Sequence, residues 1–340
     1  MQFGPVPVGL AEGAVLAHSE AVAGGRLRKG QRLGPDEIAA LRTAGVAEVW
    51  VARPGPSDVG EDAAAARLAA ALVPDPGAAC LTVGAAFTGR VNLHAACAGV
   101  AAVDAEAIHA LNRIDPAITL ATLAPLARVV PGQLVGTVKI ITYAVRDRAL
   151  DAACTAGGGA IRVLPVVRRT AGLILTAVPG QPAKLNAKGR RAVEGRLAAL
   201  GVTLAGVAEV DHDTGALAAA MTALAGEMVL ILTGSATSDP QDTAPAAVRA
   251  AGGRVTRFGM PVDPGNLLFL GDQGGRPVIG LPGCARSPAL NGADWVLERI
   301  ACGIDVTDAM IAAMGVGGLL KEIPIRPQPR EGGAPGADDD

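Results

Sequence analysis

The sequence predicts an α/β protein with a mostly parallel sheet in its C-terminal half and smaller α+β units before it. From about residue 160, apolar segments with strand character alternate with helical segments. Strands are predicted at 172–178, 202–210 and 228–232, with helices at 188–200 and 214–225 between them. Alternation of this kind is typical of βαβ units, which build a parallel sheet with helices on both faces. We therefore expect a three-layer α/β/α domain.

The remainder of this half continues the same rhythm. A helix is predicted at 243–251, where Gly252 supplies a stop signal, and a last helix at 287–302. Between them, strands are predicted near 254–258, 267–270 and 278–281.

Proline- and glycine-rich segments divide the rest of the chain. In the N-terminal half, helices are predicted at 61–72 and 105–111, strands at 46–51 and 134–145, and a helix that opens at Pro35. Gly157-Gly158-Gly159 is predicted to be a flexible boundary. The predicted division is a small α+β unit (1–55), a linker with a short helix (56–77), a middle α+β unit (78–156), the α/β domain (160–305) and a disordered tail (321–340).

Composition restricts the class of protein. The 340 residues suggest about two to three domains. The formal net charge is −2, Lys and Arg are spread along the chain, and only 2% of residues are aromatic. A nucleic-acid partner would need clustered basic charge, or aromatic rings on which bases stack, so none is expected.

Apolar runs, N-terminal charge and cysteine number predict the cellular location. No apolar run approaches the roughly 18 residues that suggest a membrane span, and the first 25 residues hold no Lys or Arg, unlike a secretory signal. The five cysteines are odd in number and form no CxxC pair, which favours reduced thiols over a disulfide framework or a zinc site. We expect a cytoplasmic protein with no membrane partner.

The segment 233–242, Thr-Gly-Ser-Ala-Thr-Ser-Asp-Pro-Gln-Asp, is the strongest candidate for a binding loop. It follows a buried strand and precedes a helix, which is where open α/β sheets bind ligands. A helix N-terminus favours an anion by about 0.3–1 kcal/mol. Carboxylates beside a phosphate would need a hard cation such as Mg²⁺ between them. The alternative, at least as strong on the loop alone, is that Asp242 only caps the following helix.

A second strand–helix loop, 281–288, offers Arg286 for a phosphate or carboxylate, or simply a surface arginine. Cys284 is expected to be a packed residue because no histidine adjoins it. Asp211-His212-Asp213 could bind a metal, but an N-cap by Asp213 is the stronger interpretation. The basic cluster Lys184, Lys188, Arg190 and Arg191 is more typical of a solvated face than of a phosphate site.

In this order, the pieces resemble the molybdopterin-binding domain of molybdenum-cofactor biosynthesis proteins. Members include gephyrin and the bacterial molybdopterin molybdenumtransferases and adenylyltransferases. The family loop Thr-Gly-Gly-Thr-Gly, followed by Asp and often Thr-Pro, matches 233–237, Asp242 and Pro245 without a gap. Segments 263–267 and 281–285 stand where the transferases have Lys-Pro-Gly-Lys-Pro and Leu-Pro-Gly-Asn-Pro. The resemblance covers about residues 170–303, and 12–49 also looks like a transferase segment.

The resemblance implies a ligand and a set of site residues. The ligand would be molybdopterin or its adenylylated form, with Mg²⁺ as cofactor and molybdate as the second substrate. Asp242 would be the catalytic and metal-binding residue. The residues expected to bind the pterin's phosphate are Thr233, Gly234, Ser235, Thr237, Asp239, Gly283 and Arg286. A homo-oligomer and a molybdoenzyme partner are also implied.

The chain departs from the family pattern. Asp263 and Asn266 replace two lysines, Cys284 replaces an asparagine, and the family's Ser-x-x-Asp-Gly-Tyr-Ala element is missing. The first hypothesis is therefore a molybdopterin-binding protein that resembles the molybdenumtransferases, with its catalytic activity left open. The alternative is a non-catalytic carrier of the cofactor for a molybdoenzyme. A third possibility is an α/β domain reused for a nucleotide substrate.

Overall fold

The structure is a computed structural model that describes residues 1–182 and 184–320. The chain divides into two compact units, Met1–Pro165 and Val166–Asp340. The predicted tail at 321–340 lies outside the described residues. The finer division of the first unit, with its linker at 56–77, stays a prediction.

The first unit contains short strands and four helices among its described residues. Its strands are β1 (Gln2–Pro7), β2 (Val15–Leu16), β3 (Glu20–Val22), β4 (Gly25–Leu27), β5 (Glu48–Arg53), β6 (Asp58–Gly60), β7 (Leu81–Val83), β8 (Arg90–Ala95), β9 (Gly99–Val103), β10 (Ile118–Thr122), β11 (Arg128–Val129), β12 (Leu134–Ile140), β13 (Ala144–Arg146) and β14 (Ile161–Pro165). Its helices are α1 (Pro35–Thr43), α2 (Glu61–Leu72), α3 (Ala105–Asn112) and α4 (Asp147–Gly157).

Two apolar clusters hold the first unit together. One packs α1 against the three-stranded sheet β1-β5-β2 through residues such as Leu41 and Val51. The larger one packs α2, α3 and α4 against the antiparallel sheet β10-β12-β8-β7, with Leu68 and Leu111 fully buried. Because α2 has alanine at most of its buried positions, it can approach the sheet closely.

The second unit contains the mostly parallel sheet. Its strands are β15 (Thr170–Ala177), β16 (Thr203–Asp211), β17 (Met228–Leu232), β18 (Arg254–Phe258), β19 (Phe269–Gln273) and β20 (Arg276–Leu281). Its helices are α5 (Lys184–Ala199), α6 (Thr214–Ala223), α7 (Thr243–Ala250), α8 (Gly292–Ala301) and α9 (Asp308–Ala313).

The order of the six strands is β16-β15-β17-β20-β19-β18. The first four are parallel to one another, and β19 is antiparallel to both of its neighbours. The core of this unit contains Ile174, Val229 and Phe269 from the sheet, together with Leu217 and Val248 from α6 and α7. The mixed α/β fold with a mostly parallel sheet is therefore confirmed. The three-layer arrangement stays a prediction.

Many sequence-predicted elements are confirmed within a few residues. Helix α2 and strands β17 and β18 have the predicted bounds, and α7 ends one residue early. The last predicted helix begins late, at Gly292 rather than Ser287. Residues Gly283–Arg286 instead form a 3₁₀ turn, and Asn291 caps α8 with its side chain.

Three expectations for the first unit are wrong. The predicted strand at 134–145 is two strands, β12 and β13, which belong to different sheets. Gly157 is the last residue of α4 rather than part of a flexible boundary, and it is buried against Leu111. Cys80 and Cys97 form a disulfide, so the expectation of uniformly reduced thiols fails for this pair. The cysteine argument for a cytoplasmic location is lost with it, because disulfides persist mainly in oxidising compartments.

Membrane insertion by a helix has no support in the described part of the chain. In residues 1–182 and 184–320, every helix is too short or too polar to cross a bilayer.

Candidate functional site

Four parallel strands bring the candidate loops to one edge of the sheet. Strands β15, β16, β17 and β20 all run in the same direction, so their carboxyl ends lie side by side. Thr176, His212, Thr233 and Gly283 lie at or just beyond these ends. The carboxyl edge of a parallel sheet is the usual place for a ligand in an open α/β fold.

Gly234 is required by the close approach of the loop to β15. A Cβ atom at this position would overlap the Gln181 side chain and lie 2.8 Å from the backbone oxygen of Thr176. The Gly234 N–H donates to the buried Thr176 hydroxyl at 2.8 Å. This N–H therefore anchors the loop to the sheet and is not free for a ligand.

The next part of the loop has unpartnered backbone donors. Among the described residues, nothing accepts a hydrogen bond from the backbone N–H groups of Ser235, Ala236 or Thr237. Ser235 and Ala236 are also exposed to solvent. Thr233 stiffens this segment, because its hydroxyl donates to the Ser235 carbonyl at 2.5 Å. Thr237 is buried, with 6% of its surface exposed. Three consecutive N–H groups in a braced loop are suited to an anion.

Asp242 acts as a cap in this structure. Its Oδ1 accepts from the Thr243 N–H at 2.7 Å, and its Oδ2 accepts from the Ser238 N–H at 3.1 Å. The interpretation that Asp242 caps helix α7 therefore agrees with the structure. Its predicted catalytic and metal-binding roles stay predictions.

The fit to Mg²⁺ depends on the ligand. Asp239 accepts from the Gln241 N–H through Oδ1, and its Oδ2 has no hydrogen-bond partner among the described residues. In the part of the chain that the structure describes, no three His, Cys, Asp or Glu side chains form a possible metal site. Mg²⁺ is commonly held by one or two carboxylates together with phosphate oxygens and water. Asp239 and Asp242 fit that pattern only when a phosphate completes the coordination.

Arg286 is a buried cation beside the same loop. The residue is 9% exposed, and its Nη2 donates to the Thr233 carbonyl at 2.8 Å. Its buried Nε has no hydrogen-bond partner among residues 1–182 and 184–320. Within the described residues no carboxylate pairs with it, and burial alone lowers the pKa of its guanidinium. An arginine remains charged under all ordinary conditions, so this site holds an uncompensated positive charge next to the loop.

The other residues of the second loop have different surroundings. Gly283 is exposed, and no heavy atom lies within 4 Å of the position a Cβ would take. Burial raises the pKa of the Cys284 thiol, which favours the protonated, less reactive form at neutral pH. The interpretation of Cys284 as a packed residue agrees with this environment.

The remaining candidates are also accounted for. Asp213 caps α6 by accepting from the Ala216 N–H at 2.9 Å, as the sequence suggested. His212 Nδ1 is 2.9 Å from the Thr176 hydroxyl, which connects it indirectly to Gly234. Lys184, Lys188, Arg190 and Arg191 are exposed on α5, and Arg190 pairs with Glu194.

Three residues that support this edge of the sheet are not among the sequence-predicted site residues. Thr176 is fully buried and anchors Gly234. Gln181 lies against Gly234 and donates to the buried Asn186 side chain at 2.9 Å. Thr176 stands near the end of an apolar strand, and a polar residue at that position is a sequence signal for a site at the strand end. No sequence pattern indicates Gln181 and Asn186, because their place here depends on the contact of Gln181, which follows β15, with Gly234.

The fold defines an α/β protein with a mostly parallel sheet, and the two candidate loops lie at the carboxyl edge of that sheet. A family model described as a domain of unknown function (DUF8806) matches residues 5–53, outside this site. The comparison with curated proteins finds no match.

Three solved structures similar to this chain are molybdopterin or molybdenum-cofactor biosynthesis proteins. A MoeA protein from Pyrococcus horikoshii shares 14% identity, over 89% of this chain and 76% of that one, with a TM-score of 0.30. A Pyrococcus furiosus protein shares 12%, over 92% and 65%, with a TM-score of 0.22. The MoaB enzyme of Thermus thermophilus shares 14%, over 45% and 99%, with a TM-score of 0.26. At this identity and TM-score they carry no argument about activity.

Proposed function

We propose that this chain binds molybdopterin at the 233–242 loop and takes part in molybdenum-cofactor biosynthesis. The observation that carries the proposal is the buried Arg286, which has no carboxylate partner among the described residues. It lies beside a loop whose Ser235, Ala236 and Thr237 N–H groups are unpartnered. The motif order of the sequence suggests which anionic ligand this arrangement takes.

In this proposal the phosphate of the pterin provides the missing acceptors. Its oxygens accept from the loop N–H groups and from the Arg286 guanidinium, whose planar fork suits a phosphate. Ser235 and Thr237 add hydroxyls, and the open space at Gly283 lets the ligand approach the second loop. Mg²⁺, where required, is held by Asp239, Asp242 and the ligand's own phosphate oxygens, and it would neutralise charge between them.

The direct test measures the pterin that copurifies with the full chain from a host that accumulates molybdopterin. After oxidation, the released fluorescent pterin is quantified for the wild type and for Arg286→Met. A hydrogen bond to a charged group contributes about 1.5–3 kcal/mol, so the variant's affinity should fall about 10- to 150-fold. Near-stoichiometric pterin in the wild type and little in the variant are expected.

Arg299→Met is the matched control for burial. Arg299 is a second arginine whose pKa is lowered by burial, and its buried Nε also has no hydrogen-bond partner in the described part of the chain. It lies on α8, where its Nη1 donates to the Trp295 carbonyl at 2.8 Å. Pterin retained by Arg299→Met and lost by Arg286→Met assigns the effect to the loop. A wild type without pterin would refute the proposal.

A carrier without transferase activity is the second candidate, and two observations favour it. Both carboxylate oxygens of Asp242, the expected catalytic residue, already accept hydrogen bonds, one from the Ser238 N–H of its own loop and one from the Thr243 N–H at the start of α7. The substitution of Asp263 and Asn266 for two family lysines points the same way. Molybdate-dependent turnover of an adenylylated pterin distinguishes the two: a transferase converts it with Mg²⁺, and a carrier binds it unchanged.

A further inference from the structure

A second buried arginine lies behind the candidate site. Arg196, on α5, has a side chain that is only 9% exposed, and its Nε pairs with Asp294 at 2.5 Å. Its Nη1 donates to the Ala285 carbonyl at 2.8 Å, and its Nη2 donates to the carbonyls of Ser287 and Ala289 at 2.8 and 3.1 Å. These three carbonyls surround Arg286 in the sequence. One guanidinium thus holds the backbone on both sides of Arg286.

Helix α5 also touches Arg286 directly. Gly189 lies seven residues before Arg196, which is about two helical turns and therefore the same face. A Cβ at Gly189 would lie 3.4 Å from Cγ of Arg286 and 2.7 Å from a methyl of Leu232. The missing side chain at Gly189 lets α5 pack close to the Arg286 side chain, while Arg196 fixes the backbone that carries it.

We propose that Arg196 is a positioning residue that acts through segment 285–289 to hold the Arg286 guanidinium in place for the ligand's phosphate. This inference rests on the proposed function. The inference goes beyond the proposed function because Arg196 contacts the backbone of the segment rather than the ligand. Arg196 belongs neither to the predicted motifs nor to the predicted site. Its role depends on geometry rather than on charge.

Lysine cannot replace Arg196 in this role. The guanidinium directs donors along fixed directions to three carbonyls of the segment and to Asp294, whereas an ammonium is a single point with three rotating donors. Arg196→Lys therefore keeps the charge and the ion-pair partner but releases part of the segment. The orientation of Arg286, which determines its fork-like contact with a phosphate, is then no longer fixed.

The test is a double-mutant cycle on the full chain, loaded with pterin in the accumulating host. Arg196→Lys, Arg286→Lys and the double variant are compared for the pterin they retain after anaerobic gel filtration. Arg196→Lys should reduce retention about tenfold in the wild-type background. In the Arg286→Lys background it should have less than about a twofold effect, because a lysine at 286 has no fork to orient. General destabilisation would instead give the same factor in both backgrounds.

A second measurement decides the matter even for variants that retain no pterin. Cys284 lies next to Ala285, and burial raises its thiol pKa. Its alkylation by iodoacetamide in pterin-free protein, read by peptide mass spectrometry, reports whether the segment is held. Arg196→Lys should speed this alkylation about tenfold. Arg190→Lys, which changes an exposed arginine of the same helix, should leave it unchanged.

The outcomes separate the inference from the proposed function. Unchanged Cys284 alkylation in Arg196→Lys, or equal loss of pterin in both backgrounds, overturns the positioning role while the pterin site stands. A wild type without pterin refutes the proposed function, whatever the alkylation shows. Faster alkylation together with the background-dependent loss supports the inference.

Discussion

Gly234→Ala tests how closely the binding loop approaches the sheet. The added Cβ would lie 2.8 Å from the Thr176 carbonyl oxygen and 3.2 Å from the Val178 nitrogen, besides overlapping the Gln181 side chain. Thr176 belongs to β15, which pairs with β16 at Thr176 and with β17 as far as Leu175, so the strand resists displacement. The loop must therefore move outward and give up the Gly234 N–H bond to the Thr176 hydroxyl.

The expected cost combines two effects. Overpacking typically costs about 1–3 kcal/mol, and leaving a buried hydrogen-bonding group without its partner costs about 1–3 kcal/mol. Because moving the loop relieves part of the overlap, we expect the free energy of unfolding to fall by about 2–4 kcal/mol. The pterin content should fall as well, since the loop N–H groups move with the backbone.

Urea unfolding of the second unit measures this cost. The sequence has two tryptophans, Trp50 and Trp295, so a Trp50→Phe background makes Trp295 of α8 the sole reporter. Gly283→Ala is the matched control, because its Cβ would meet open space. It should change the stability by less than about 0.5 kcal/mol. If Gly234→Ala is as stable as Gly283→Ala, the close approach of loop and sheet is wrong.

Three further predictions concern single groups. Thr176→Val keeps the shape but leaves the Gly234 N–H without its acceptor, so urea unfolding should show a loss of about 1–3 kcal/mol; no loss would contradict the anchoring role. Glu227 has a pKa below its ordinary value because the Arg169 and Thr170 N–H groups donate to its carboxylate. Its stabilising effect is therefore present above the ordinary pKa of 4.5 and lost as the pH falls through the lowered one. Glu227→Gln should be less stable than the wild type at neutral pH in urea unfolding, with the difference vanishing in acid; a difference that grew in acid would contradict this sign. Cys284 should react slowly with iodoacetamide at neutral pH and faster as the pH rises, because burial raises its pKa; fast labelling at neutral pH would contradict the burial.

Local sequence patterns were sufficient to predict many of the strands and helices of the second unit. Met228–Leu232 is a continuous apolar run between polar loops, and the structure makes it the fully buried β17. Helix α6 begins after Asp213, a residue with a capping side chain that the sequence displays directly. Such elements follow from hydrophobic pattern and capping within a few residues of the chain.

The first unit was less predictable because its strands depend on distant partners. Strand β1 pairs with β5, more than forty residues away, and β14 pairs with β9. Short strands of this type have little local signal. The disulfide between Cys80 and Cys97 is similarly invisible, since an odd number of cysteines gives no indication of which two meet.

At the candidate site, the sequence predicted the loops but not their supports. Thr233, Gly234 and Arg286 follow buried strands, and this position in the sequence predicts them. The fold adds Thr176, which anchors the loop, and Arg196, which lies about ninety residues before the segment it holds. These contacts join separate βα units, so no local pattern contains them. The sequence also could not show that both carboxylate oxygens of Asp242 accept hydrogen bonds, from Ser238 in its own loop and from Thr243 at the start of α7.

The central claim is that the loop and Arg286 together bind the pterin's phosphate. A crystal structure of the pterin-loaded full chain tests it most directly. The account predicts a phosphate oxygen within hydrogen-bond distance of the Arg286 guanidinium, and others accepting from the N–H groups of residues 235–237. A pterin bound elsewhere, or a phosphate at this edge of the sheet that leaves Arg286 without contact, would contradict it.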